Sequence, residues 1–269
     1  MSRVATLAAG VLAAVGAHVV HRALTARVDA PRWERTNHAG APVTLLEGPA
    51  YVAGAALGAA TGGPAGVVAA LGSGAFGALD DLAGDGASKG LRGHLGAAAS
   101  GRVTTGLVKI VGIGATGLVA AALADRGRED LQALDTVVGG AVVAGAANLA
   151  NLLDLRPGRA LKATLLAAAP MLVAPSRPGA PQAAAAAGAA LGLLRPDLAG
   201  TAMLGDTGAN AAGALVGTAL LARSGRRGRL VSLVALAALT LASEKVSFTR
   251  VIESTPGLRE LDAWGRPAR

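Results

Sequence analysis

The chain has 269 residues, 52% apolar and 16% charged, with a formal net charge of +8 and no cysteine. Soluble domains usually carry about a quarter charged residues. The absence of cysteine excludes disulfides and thiolate metal sites, and no Lys/Arg strip interleaved with aromatic side chains suggests a nucleic-acid partner. Uncharged runs recur at 4–20, 49–79, 110–124, 136–153, 163–176, 182–194, 207–222 and 230–242. A soluble alanine-rich bundle would show a charged face on each helix, and these runs have none. They predict an all-α, polytopic membrane bundle of about nine transmembrane helices, forming one integral-membrane domain over 1–269.

In chain order, apolar 4–20 after a single arginine reads as an uncleaved first span. A polar loop, 21–47, follows. Spans two and three share 48–79, split by Thr61-Gly62-Gly63-Pro64. A loop at 80–103 precedes span four, about 105–123. Span five closes on Asn-Leu-Ala-Asn-Leu-Leu-Asp before Pro157-Gly158, which stops a helix. Span six runs to about Pro175, span seven is 182–194, and span eight follows Leu-Gly-Asp-Thr-Gly at 204–208. Span nine covers about 230–246 and leads into a polar tail. This topology puts sixteen Lys/Arg on one side and eight on the other, with Lys109 inside span four snorkelling to the rich side. Positively charged loops stay inside, so the rich side is expected to be cytoplasmic, at the plasma membrane. Basic loops drawn to anionic lipid also account for the high net charge. The Arg223–Arg229 cluster runs against that rule.

Three acidic segments close or open spans on the same side: Asp80-Asp81, then Asn148/Asn151/Asp154, then Asp206. Adjacent carboxylates need solvent, a metal or a cation to offset their repulsion. The spacing of three in Asn148, Asn151 and Asp154 places them along one flank of a helix end. Hard oxygen ligands without cysteine favour magnesium over zinc. Lys89 and Arg92 could clamp a phosphate. Gly112-Ile-Gly114-Ala-Thr-Gly117 matches a dinucleotide fingerprint but lies inside span four with no preceding strand, so it reads as helix packing. Gly54/Gly58 and Gly213/Gly217 read the same way.

Taken together, Asp-Asp after an apolar span, Lys-Gly-Leu at 89–91, Asn-x-x-Asn-x-x-Asp at 148–154 and Leu-Gly-Asp-Thr-Gly at 204–208 resemble the MraY/WecA family of polyprenyl-phosphate sugar-1-phosphate transferases. The stretch 28–50 is similar to that family's first cytoplasmic loop, with Asn37 at a substrate-binding position. The resemblance implies magnesium-dependent transfer of a sugar-1-phosphate from a nucleotide diphosphate sugar, expected to be UDP-linked, to a polyprenyl phosphate in cell-envelope biogenesis. Asp206 and Asn151 would hold the magnesium, with manganese as the alternative ion. Asp80, Asp81 and Lys89 would be catalytic. Asp154, Asn148 and Arg92 would bind substrate. The chain departs from the family where Asp154 is followed by Leu-Arg-Pro-Gly, and where the tail has no histidine; Lys245, Arg250 or Arg259 would stand in there. Membrane lipid is an expected partner, and a homodimer is left open. The competing readings are a transporter, which would place its charges near midplane on broken helices, and a non-catalytic lipid-binding relative of the same fold.

Overall fold

A computed structural model describes residues 2–27, 31–37, 40–83 and 104–267. Lys89 and Arg92 lie outside the described residues. Eleven α-helices are found among those described: α1 (Arg3–Arg27), α2 (Glu47–Ala59), α3 (Pro64–Ala83), α4 (Thr105–Ala124), α5 (Ala133–Leu153), α6 (Arg159–Leu172), α7 (Ala180–Leu198), α8 (Gly205–Leu221), α9 (Arg226–Ser243), α10 (Phe248–Ser254) and α11 (Leu258–Ala263). A short antiparallel hairpin, β1 (Glu34–Thr36) and β2 (Pro42–Thr44), sits between α1 and α2.

The first nine helices fall where the apolar runs predict spans, but the expectation of nine crossings is met only in part. By length and composition, α1, α3, α4 and α5 can cross a membrane, and a fifth span results if α9 is joined to α10 across their 92° bend. With 13 and 14 residues, α2 and α6 reach about 20 Å at 1.5 Å per residue, short of the ~30 Å hydrocarbon thickness. The physical reason lies in the packing. Helix α8 sits at the centre against α2 to α7, and nearly its whole circumference is buried. A helix enclosed by protein need not match the bilayer. Helices α1, α4 and α9 instead turn Val4, Leu7, Val11, Val119, Val231 and Val234 outward, as a lipid-facing surface requires.

Small residues set these close approaches, because apolar side chains gain nothing by leaving lipid and association rests on tight packing. Added methyls at Gly213 and Gly188 would overlap the carbonyls of Ala146 and Gly10. Gly54 and Gly58 of α2 lie against Ala17, Ala13 and Ala9 of α1. Gly112 lies under the Phe76 ring and Gly117 against Gly140. These glycines are packing positions.

The Arg223–Arg229 cluster has a structural use. Arg229, 1% exposed, pairs through both terminal nitrogens with Asp125 and donates to the Asp135 carbonyl at 2.9 Å. Arg226 pairs with Asp135 at 2.9 Å, and Arg223 donates to the carbonyls of Ala174 and Pro178. Arg226 and Arg229 pin the start of α9 to the α4–α5 turn, and Arg223 ties the α8–α9 turn to the α6–α7 turn. Removing one partner of a buried pair typically costs about 3–5 kcal/mol, so Arg229→Met should lower the thermal midpoint of the detergent-solubilised protein by several degrees. An unchanged midpoint would remove this role.

Candidate functional site

Helices α3, α4, α5 and α8 bring their polar ends together at one end of the bundle. The N-terminus of α8 presents N–H groups that no helical carbonyl can accept. Asp81, at the end of α3, takes up two of them: its carboxylate accepts from the Asp206 N–H at 3.0 Å, the Thr207 N–H at 2.8 Å and the Thr207 hydroxyl at 2.6 Å. Asp154, the C-cap of α5, accepts from the Gly205 N–H. Two carboxylates from two other helices therefore cap α8 and hold Asp206 in place. Gly205 has φ +60°, and a Cβ there would come within 2.9 Å of an Asp81 oxygen. Only glycine suits both the backbone and the cap. Arg35 of β1 donates to the Asp81 carbonyl, tying the hairpin to the same corner.

Asp80 and Asp206 converge on a single cation. The Lys109 ammonium, on the second turn of α4, lies 2.7 Å from Asp80 Oδ2 and also pairs with Asp206 Oδ2. Thr105 hydrogen-bonds Asp80 as well, and the Asp206 carboxylate lies beside it around the shared ammonium. All three side chains are about one-fifth exposed, so a ligand can reach them. Asn210, one turn along α8, donates to the Asp206 carbonyl at 2.7 Å.

A cleft of about 370 Å³ runs from Lys109 between α4, α5 and α9. Ile110, Ile113, Leu233 and Leu236 make its walls apolar, while Asn148, Asn151 and Asn210 line it with amides. Asn148 also donates to Thr240 Oγ1 of α9 at 3.1 Å, which is helix-to-helix bonding rather than a free ligand. A second cavity of about 190 Å³ is walled by Asn37, Asp154, Arg156, Pro157, Asp197 and Met203. Lys245 and Arg250 are exposed at the α9–α10 bend and line neither cavity.

Glu47, Asp154 and Asp197 are buried together, and both Glu47 oxygens and one oxygen of each aspartate lack a hydrogen-bond partner among the described residues. Asp197 accepts from the Gly158 N–H at 2.8 Å, yet burial pushes its carboxyl up from 3.8 to about 7. Burial and the Asp197 charge push Asp154 up as well. The folded state thus binds a proton on Asp197 more tightly than the unfolded chain does. Its contribution is fully present below the unfolded value near 3.8 and is lost as pH rises through about 7. The thermal midpoint should therefore fall between pH 5 and pH 8, and Asp197→Asn should flatten that slope. Equal slopes in the two proteins would count against it.

The sequence pointed to Asp80, Asp81, Asn151, Asp154 and Asp206, and these residues gather around α8. It missed Lys109 as a member of the site, along with Glu47 and Asp197. A signal for Lys109 was available: a lone cation in an apolar run calls for a counter-charge at the same depth. Among the described residues no three His, Asp or Glu side chains converge as a metal cage. Asp80 and Asp206 sharing one ammonium, with the Asn151 amide on the same cleft, nonetheless suit magnesium. That ion commonly takes one or two carboxylates and completes its shell with phosphate and water. No protein-family model matches the sequence, and no curated protein matches it.

Proposed function

We propose that this chain is a membrane transferase moving a sugar-1-phosphate from a nucleotide diphosphate sugar to a polyprenyl phosphate. The carrying observation is the cleft beside α9: apolar walls that suit an isoprenoid tail end at Lys109, which sits between Asp80 and Asp206. An anionic phosphate at that end would draw the ammonium toward itself and free both carboxylates. Magnesium on Asp206 and Asn151 would supply electrostatic stabilisation as charge grows between two anions.

Asp80, within hydrogen-bond reach of Lys109 and Thr105, is placed to accept a proton from, or orient, the lipid phosphate. An oxygen of that phosphate forms a bond to the sugar-bearing phosphorus of the donor. The bond from that phosphorus to the bridging oxygen breaks, and a nucleoside monophosphate leaves. Asp81 and Asp154 act indirectly, by fixing α8. The cavity at Asn37, Asp154 and Arg156 is close enough to that helix to receive the nucleoside part of the donor. Lys89 and Arg92 keep their proposed roles as phosphate contacts. The site end carries the arginine- and lysine-rich loops, which supports a cytoplasmic active site at the plasma membrane.

A second reading has its own support. Lys109 already satisfies both candidate acids, as it would in a lipid-phosphate binder with no catalytic metal. A panel of UDP, CDP and GDP sugars, incubated with undecaprenyl phosphate and magnesium and followed by mass spectrometry of the lipid, separates the two. A lipid-linked diphosphate sugar supports the transferase. Retention of polyprenyl phosphate with no product from any donor supports the binder.

A further inference from the structure

The chain from Lys245 to Pro267 folds back from α9 as a thin strap. Its inner side is latched to the start of α6. Asp262 forms a two-point ion pair with Arg159 at 2.7 and 3.0 Å, and both side chains are buried. Arg159 also donates to Thr249 at 2.7 Å. The Lys162 ammonium caps α11 by donating to the carbonyls of Leu261, Asp262 and Trp264. Arg266 pairs with Asp262 and donates to the Pro157 carbonyl at 2.8 Å.

The outer side has the opposite character. Val246, Val251, Leu258 and Leu261 are 40–47% exposed and Trp264 is 67% exposed. So much apolar surface on a latched, ordered segment requires a cover. The strap's ion pairs are Arg156–Glu253, Arg259–Glu260 and Arg266–Asp262 with Arg159. Lys245 and Arg250 form no ion pair among the described residues. Beside the strap's end, a furrow of about 470 Å³ is walled by Leu191, Leu194, Leu198 and Gly265, with Arg195 at its side.

We propose that the strap lies in the head-group layer of the bilayer, with anionic phospholipid against Lys245, Arg250 and Arg195. Chain continuity sets its depth, because only four residues separate α9 from α10 and the chain turns by 92° there, so the strap leaves the direction of α9 instead of extending it. Chemistry sets the partner. Exposed aliphatic residues with one tryptophan and unpaired cations are the composition that settles at a membrane–water boundary. Each such cation near an anionic leaflet is attracted to it. Lys245 and Arg250 are thereby assigned to lipid rather than to the donor sugar, and this assignment does not depend on the transferase reading.

The test uses the full chain in nanodiscs. Trp33 and Trp264 are its two tryptophans, so Trp33→Phe leaves Trp264 as the sole reporter. Lipids brominated near the top of the acyl chain should quench its emission by about half or more. Quenching should be stronger with phosphatidylglycerol present than in phosphatidylcholine alone, and Lys245→Gln/Arg250→Gln should remove the difference. Water-like emission with no quenching would overturn the proposal. Quenching that ignores lipid charge and the double substitution would overturn its anionic partner.

Discussion

Asp206→Asn and Asp80→Asn should each cut magnesium-dependent release of nucleoside monophosphate by a factor of about 100 or more, the usual cost of losing one group that meets transition-state charge. Both side chains share the Lys109 ammonium and remain partly open to solvent. An amide of the same shape keeps one acceptor for Lys109 but gives up the charge that would hold a cation. Helix content and the thermal midpoint should change little, because neither side chain caps a helix. Asp81→Asn should behave differently. It disturbs the acceptor of three hydrogen bonds at the start of α8, so stability and turnover should fall together. A mutant set in which Asp80→Asn and Asp206→Asn turn over normally would remove the proposed chemistry. One in which Asp81→Asn leaves the thermal midpoint unchanged would remove the capping role.

Gly77→Ala should be nearly as damaging although residue 77 carries no functional group. Gly77 of α3 lies against the Asp206 carbonyl, and a methyl there would overlap that backbone. Neither helix can yield easily, since Asp81, one turn further along α3, is already bonded to α8. Overpacking of this kind usually costs about 1–3 kcal/mol. A shift of about 1 Å between Asp80 and Asp206 is enough to lower a reaction rate ~100-fold. Gly114→Ala serves as the control: it also lies inside a helix, but nothing stands within 4 Å of its added carbon. It should be neutral or slightly stabilising, as glycine-to-alanine changes are in an open helix. Equal effects of the two substitutions would show that propensity, not the α3–α8 contact, decides.

Much of this was legible in one dimension. Helix positions followed from apolar runs broken at Thr61-Gly62-Gly63-Pro64 and Pro157-Gly158, since those breaks act locally. The gathering of Asp81, Asp154 and Asp206 at one end followed from their places at span ends. The number of crossings was not legible, because α8 and α7 are as apolar as a lipid-facing helix yet lie inside the bundle, and only tertiary packing distinguishes the two cases. The partner of Lys109 was hidden for the same reason. Asp80 is 29 residues away and Asp206 is 97 residues away, and only the packing of α4 against α3 and α8 brings them together. A capping role of Asp81 and Asp154 was hidden as well. Sequence marks a carboxylate as available for chemistry, whereas the fold uses these two to satisfy backbone N–H groups. The latch of the strap onto Arg159 and Lys162 left no local signature at all.

The most direct measurement follows the phosphorus atom. A nucleotide diphosphate sugar labelled with ³²P on the sugar-bearing phosphate would be incubated with undecaprenyl phosphate, magnesium and the reconstituted protein, then partitioned between butanol and water. The account requires the label to move into the butanol phase as a lipid diphosphate, to stay in water when magnesium is chelated, and to stay in water with Asp206→Asn. Label that remains aqueous with the unaltered protein for every donor, or that moves equally with Asp206→Asn, contradicts it.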